Sequence, residues 1–218
     1  MYERVIKRLL DLLLSTLALI CLSWLYIIIA LAIIIDDPGP VFFTQKRVGK
    51  NKTYFRLYKF RSMKMSTPHD MPTHLLDNPG QYITKVGRFL RKSSLDESPQ
   101  ILNIWLGQMS IIGPRPALWN QDDLVAERDN FGANDVLPGL TGWAQINGRD
   151  ELEIPLKAKL DGDYARKLKA GGFRAFCFDC HCFIGTIFSV ARADGVVEGG
   201  TGELKKHEPA SSQEKEGN

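Results

Sequence analysis

The sequence predicts an α+β chain, mostly helical, with one small β-hairpin, a re-entrant N-terminal membrane helix and amphipathic helices at the membrane interface. Three observations carry this. Leu12 to Ile35 contains no charged residue; Val41 to Val48 and Thr53 to Phe60 read as two strands on either side of a turn cluster; and helix-like stretches follow, separated by proline and glycine. With 218 residues and 44% hydrophobic content, the chain fits one domain plus appendages. The expected boundaries are residues 1–36 for the membrane helix–break–helix, 37–197 for a domain packed on the membrane, and 198–218 for a disordered polar tail.

About 20 apolar residues cross a bilayer as a helix, so the first segment is long enough to insert. It is not expected to be a cleavable signal, because the apolar run exceeds the usual signal length and Asp36-Asp37-Pro38-Gly39-Pro40 lacks the small residues of a cleavage site. Arg4, Lys7 and Arg8 precede it, and Lys46, Arg47, Lys50 and Lys52 follow. If both basic flanks prefer the cytoplasm, a helical hairpin satisfies them and a single span does not. Ser23 is the expected break, its hydroxyl bonding the carbonyl of Leu19, with Trp24 and Tyr26 favouring an interface. An ordinary spanning anchor is the competing arrangement.

Asp36 to Pro40 stops the helix, and Gly49-Lys50-Asn51-Lys52 joins the two strands. Lys59-Phe60-Arg61-Ser62-Met63 closes the hairpin by alternating cations with apolar residues, as a half-buried strand or a charged edge strand does. Ser66 to Gly80 is expected to be a loop able to lie over a substrate, and Tyr82 to Leu90 a short helix.

That helix leads into Arg91-Lys92-Ser93-Ser94-Leu95-Asp96-Glu97-Ser98-Pro99, where two adjacent carboxylates lie between a basic turn and a new helix over Ile101 to Leu106. Ser98-Pro99 reads as N-cap and first helical position. The helix dipole with Arg88, Arg91 and Lys92 would favour a charged Asp96, available as nucleophile or magnesium ligand. A plain capping box between Ser94 and Glu97 is the alternative.

Gly113-Pro114-Arg115-Pro116 holds Arg115 on a stiff turn, a geometry suited to bidentate phosphate binding, with a plain surface charge as the alternative. Gln121 to Arg128 reads as helix, and Leu137 to Arg149 as a glycine-rich turn with free backbone N–H groups, Gln145 and Arg149. Leu156 to Ala170 is a charged helix, and Phe173 to Val190 an apolar helix for the membrane interface or the core.

The net charge is only +3, but cations cluster at 4–8, 46–64 and 88–92. That pattern suits anionic lipid or phosphorylated substrates, and no nucleic-acid signature accompanies it. Cys21, Cys177, Cys180 and Cys182 form no disulfide framework. Around His181 they imitate metal-ligand spacing without a second ligand pair.

Taken together, Lys7-Arg8 with Asp11, Pro38 to Phe43, Gln45, Arg47 and Gly49, Lys59 to Met63, Val86 to Lys92, Leu95-Asp96-Glu97, Gly113 to Pro116, and Pro138 to Gln145 with Asn147-Gly148-Arg149 resemble the monotopic bacterial phosphoglycosyl transferases, which act on polyprenyl phosphate. The match runs over residues 7 to about 190.

The resemblance implies a nucleotide diphosphate sugar, usually a UDP-sugar, as donor and undecaprenyl phosphate as acceptor, with release of UMP. It also implies magnesium, a re-entrant membrane helix, and a covalent phosphosugar intermediate on Asp96. Glu97 would orient the site or metal. Arg91, Arg115, Arg149, Lys59, Arg61 and Gln145 are the expected phosphate- and substrate-binding set. The expected location is the cytoplasmic face of the bacterial inner membrane, with downstream glycosyltransferases as possible partners. An inactive membrane scaffold of the same fold and a spanning magnesium transferase without covalent intermediate are the competing readings. Two departures stand out: Ser23-Trp24 replaces the family's usual Ser-Pro, and Asp179-Cys180-His181-Cys182 falls where relatives more often carry a basic residue.

Overall fold

The apolar N-terminal run forms one helix in the computed structural model of the protein, which describes residues 2–67, 79–148 and 152–191. Helix α1 (Arg8–Asp36) is entered through a π-helical turn at Tyr2–Lys7. Together they make a 35-residue helix long and apolar enough to cross a membrane, with only 11% of its most apolar window buried in the protein. A core helix would bury most of that surface, so α1 is built for an apolar solvent.

Helical structure continues through Ser23 without interruption. The Ser23 hydroxyl donates to Ile20 O at 2.8 Å, not to Leu19 O as expected from the sequence. Such back-bonding bends a helix without removing a backbone bond, which is why no separate break appears.

Both ends of α1 are bonded to the domain that follows. Near its start, Arg8 donates to Ile104 O at 2.6 Å and Trp105 O at 2.9 Å, while Asp11 accepts from Ile111 N at 3.0 Å. At its end, Asp36 accepts from Val86 N at 2.8 Å. Ile29 and Ile33 pack with Phe60 and Leu90.

Strands β1 (Phe42–Val48) and β2 (Tyr54–Phe60) pair antiparallel from Phe42↔Phe60 to Val48↔Tyr54, the hairpin expected from the sequence. Asn51 and Lys52 turn the loop at positive φ. Helix α2 (Lys85–Lys92) is capped by Thr84, whose hydroxyl accepts from Gly87 N at 2.8 Å. Next come a 3-10 turn at Leu95–Glu97 and helix α3 (Gln100–Trp105). Leu57, Ile104 and Met109 pack β2 against α3.

Strand β3 (Ser110–Ile112) runs parallel to β4 (Gly139–Thr141), with Ser110 opposite Gly139 and Ile112 opposite Thr141. Helix α4 (Asp122–Asp129) lies between them in sequence. After β4 come α5 (Trp143–Ile146), α6 (Ile154–Ala170) and α7 (Gly172–Ala191). Tyr164, Ala165 and Leu168 of α6 share a core with Ala175 and Cys182 of α7. On the outer face of α7, Phe183, Ile184, Ile187 and Phe188 are exposed, as are Phe89 of α2 and Trp105 of α3.

The β3–β4 pairing was not read from the sequence, and it revises the role of the glycine-rich turn. Gly113 N donates to Thr141 O and Gly139 N to Pro114 O, each at 2.8 Å, so those N–H groups are not free. A Cβ on Gly139 would lie 2.1 Å from Gly113 N. The glycines therefore allow two backbones to touch. Most of the Ser66–Gly80 loop and the polar tail from 198 lie outside the described residues.

Candidate active site

The Asp96–Glu97 turn is reached through a residue in an uncommon conformation. Ser94 adopts φ 55°, ψ 16°, a left-handed state rare outside glycine, which reverses the chain after α2. The capping box, the alternative reading of this turn, is not formed. Ser94 makes no side-chain cap bond, and the Glu97 carboxylate faces cations. Ser98 closes the turn, donating to Leu95 O at 2.7 Å, and Pro99 takes the N-cap position of α3.

Glu97 is held by two elements. Arg115, on the turn after β3, donates through Nη2 to Oε1 at 2.7 Å and through Nη1 to Oε2 at 3.2 Å. Lys59 of β2 donates to the same Oε1 at 2.8 Å. Burial opposes the Glu97 charge, yet Arg115 and Lys59 together hold its carboxyl well below the usual carboxylate range. Two cations around one carboxylate leave a local positive excess suited to a phosphate oxygen.

Asp96 differs from its neighbour. Its carboxyl takes no side-chain hydrogen bond or ion pair among the described residues. Burial pushes it above the ordinary value, against the pull of Lys59 and Arg91 and with the help of the Glu97 charge. The sequence expectation had the opposite sign because it counted nearby cations and omitted burial. A carboxyl without a side-chain partner among the described residues thus lies beside a charge-balanced one, a contrast of environments of the kind found where two carboxyls take different roles.

The remaining expected residues divide. Arg91 Nε donates to Ser62 Oγ at 2.9 Å, which ties α2 to the end of the hairpin near Asp96. Arg61 is 7% exposed, and its guanidinium binds Asp37 Oδ2 at 2.9 Å and the Asp37 carbonyl. It therefore joins the hairpin to the end of α1. Gln145 lies on α5, buried, with neither amide atom hydrogen-bonded among the described residues. Arg149 lies outside the described residues.

No group of three or more His, Cys, Asp or Glu able to hold a metal occurs among the described residues, those around His181 included. Magnesium needs less from a protein, since one or two carboxylates suffice when substrate phosphates and water complete its shell. The free Asp96 carboxylate fits that demand.

Ser62, the partner of Arg91, was missed by sequence reasoning. It lies inside a segment already singled out, but nothing local marks it as the residue facing α2.

Comparison with known proteins bears on the family of the chain. The family model described as Bacterial sugar transferase matches residues 2–193. The chain is 40% identical over 172 residues to the UDP-glucose:undecaprenyl-phosphate glucose-1-phosphate transferase of Escherichia coli (strain K12), covering 76% of this chain and 37% of that protein. It is 42% identical over 173 residues to the protein of the same name from Xanthomonas campestris pv. campestris, covering 76% and 36%. Against the Exopolysaccharide production protein PSS of Rhizobium leguminosarum bv. phaseoli, identity is 36% over 203 residues, covering 86% and 96%. The chain thus spans little more than a third of the first two relatives and nearly all of the third.

Proposed function

This chain belongs to the bacterial sugar transferase family, and on that premise we propose that it transfers a sugar 1-phosphate from a UDP-sugar to undecaprenyl phosphate, releasing UMP. The observation that carries the reading is the Asp96–Glu97 pair, in which one carboxylate is neutralised by Arg115 and Lys59 and the other has no side-chain partner among the described residues. Relatives named for glucose 1-phosphate transfer to undecaprenyl phosphate support the substrate class.

In this reading Asp96 is the nucleophile. One of its carboxylate oxygens attacks the phosphorus that bears the sugar, and the bond from that phosphorus to the bridging oxygen breaks as UMP leaves. The resulting phosphosugar is an acyl phosphate on Asp96. An oxygen of the lipid phosphate then attacks the same phosphorus and releases the aspartate, so the kinetics are ping-pong. Magnesium, held by Asp96 and phosphate oxygens, would neutralise charge on the diphosphate. Glu97 keeps Arg115 and Lys59 together beside the reacting phosphate, and Arg91 adds positive charge from α2. A nucleophile with a raised pKa still reacts as the carboxylate, so its working form gains as pH rises through that value.

The lipid substrate calls for a membrane site. The exposed apolar surface of α1 with Phe89, Trp105 and the outer face of α7 supports a domain seated on a bilayer. A helix of 29 residues extends about 43 Å when straight. A crossing helix would carry its ends to opposite bilayer surfaces, whereas both ends of α1 are bonded to one domain. That favours re-entry from one face, with the catalytic domain on the cytoplasmic side.

The test is UMP release from a panel of UDP-sugars with undecaprenyl phosphate and magnesium, wild type against Asp96→Asn. Release that vanishes in the variant supports the reading and identifies the donor. Equal release by both proteins removes Asp96 as nucleophile, and silence across the panel removes the UDP-sugar donor.

A further inference from the structure

The turn Pro114-Arg115-Pro116 is gripped at three successive carbonyls from three separate elements. Gly139 N of β4 donates to Pro114 O at 2.8 Å, Arg128 Nη2 of α4 to Arg115 O at 2.9 Å, and Arg47 Nη1 of β1 to Pro116 O at 2.9 Å. Prolines have no N–H, so their carbonyls are the only backbone groups of those residues that a neighbour can hold.

Arg128 is 4% exposed and Asp161 of α6 is 1% exposed. Arg128 Nε donates to Asp161 Oδ2 at 2.9 Å and Nη2 to the same oxygen at 2.5 Å. Asp161 falls on the buried stripe of α6 with Ala158, Ala165 and Leu168. Such a buried pair is weak evidence for stability, since an apolar replacement often does as well. Its geometry instead spends a third bond on the Arg115 carbonyl.

We propose that Arg128, braced by Asp161 and seconded by Arg47, is a positioning residue that aims the Arg115 guanidinium at Glu97. The chain of contacts runs Asp161, Arg128, Arg115 carbonyl, Arg115 guanidinium, Glu97, and so reaches the residue beside the nucleophile. A lysine at 128 retains the charge opposite Asp161 but lacks the planar fork that reaches Asp161 and the carbonyl together. The inference rests on Asp96 and Glu97 being the reactive pair.

The experiment pairs kinetics with structure in Arg128→Lys. Where the wild type turns over, kcat is expected to fall between about 10- and 100-fold, the range that a displacement of about 1 Å produces, with KM for the donor little changed. In an Arg115→Lys background the same substitution should cost less than in the wild type, because its effect passes through the Arg115 fork. Equal losses in both backgrounds would indicate a general folding effect and overturn the proposal.

The structure of the variant gives an answer even if no UDP-sugar is a substrate. Loss of one or both Arg115–Glu97 bonds supports positioning, and retention of both overturns it. If Arg128→Lys does not fold, Arg47→Lys at the hairpin side of the same turn is the second variant, with the same readouts and a smaller expected loss.

Discussion

Lys7 donates to Asp179 at 2.9 Å across 172 positions of sequence, in the interior between the start of the membrane helix and α7. Asp179 also accepts from Tyr2 at 2.7 Å and from Tyr164 at 2.8 Å, and Tyr164 donates to Ile112 O at 2.9 Å beside the Arg115 turn. The acidic residue that looked out of place in an apolar helix is thus the acceptor that docks the N-terminus onto α6, α7 and β3. Removing it strands a buried ammonium. Asp179→Ala is expected to cost about 3–5 kcal/mol, read by denaturant unfolding in detergent, and Asp179→Asn less. A loss below about 1 kcal/mol for the alanine variant would show that Lys7 finds water or another partner.

Glu97 holds two cations that would otherwise turn to Asp96. Glu97→Gln keeps the shape and removes the charge, so Arg115 or Lys59 is expected to move toward Asp96, the proposed nucleophile, and to compete with substrate phosphate. The expected outcome is a fall in kcat of about 10²-fold. It is measured as UMP release with a donor the wild type accepts. Wild-type kcat in this variant would mean that Glu97 plays no part in the site.

Helix α2 meets the segment after β2 without a side chain between them. A Cβ on Gly87 would lie 2.0 Å from Ser62 O, a backbone atom that cannot turn aside. Gly87→Ala therefore pushes α2 off the hairpin and stretches the Arg91–Ser62 bond. Destabilisation of about 1–3 kcal/mol is expected from thermal unfolding, with activity falling as well. A stabilised variant, as ordinary helix propensity would give, contradicts this packing.

The cysteines differ in reactivity by position. Cys182 is fully buried, and burial together with Asp179 pushes its thiol up to about 12, whereas Cys177 is exposed. Since the thiolate is the nucleophile, iodoacetamide at pH 8 should modify Cys177 and spare Cys182 in the folded protein, with sites mapped by mass spectrometry. The folded value lies above the ordinary thiol value of 9.0, so the folded state keeps a proton that the unfolded state loses. This thiol's contribution to stability should fall as pH rises from about 9 towards about 12. Ready alkylation of Cys182 at pH 8 would show that α7 opens locally.

Several parts of the fold were legible because their cause is local. The hairpin follows from two strand-like stretches joined by the turn residues Gly49 to Lys52, and α6 and α7 from a charged and an apolar helical stretch. Parallel pairing of β3 with β4 was not legible, since three-residue strands so far apart carry no periodic signal. Asp161 and Asp179 did carry one. Each is an acidic residue on the buried stripe of its helix, a position that requires a partner without saying which.

By itself the sequence determined the membrane-active helix, the hairpin, the order of the helices and the resemblance that led to the carboxylate turn, all encoded in neighbouring residues through period, capping and motif. Only the tertiary structure decided which charges meet. It assigned Arg115 and Lys59 to Glu97, Arg61 to Asp37, Arg128 to Asp161 and Lys7 to Asp179. The physical reason is that an ion pair depends on a few ångströms of separation and on burial. Both are fixed by how distant elements pack, and every cation in the chain is the same unit charge until packing gives it a neighbour.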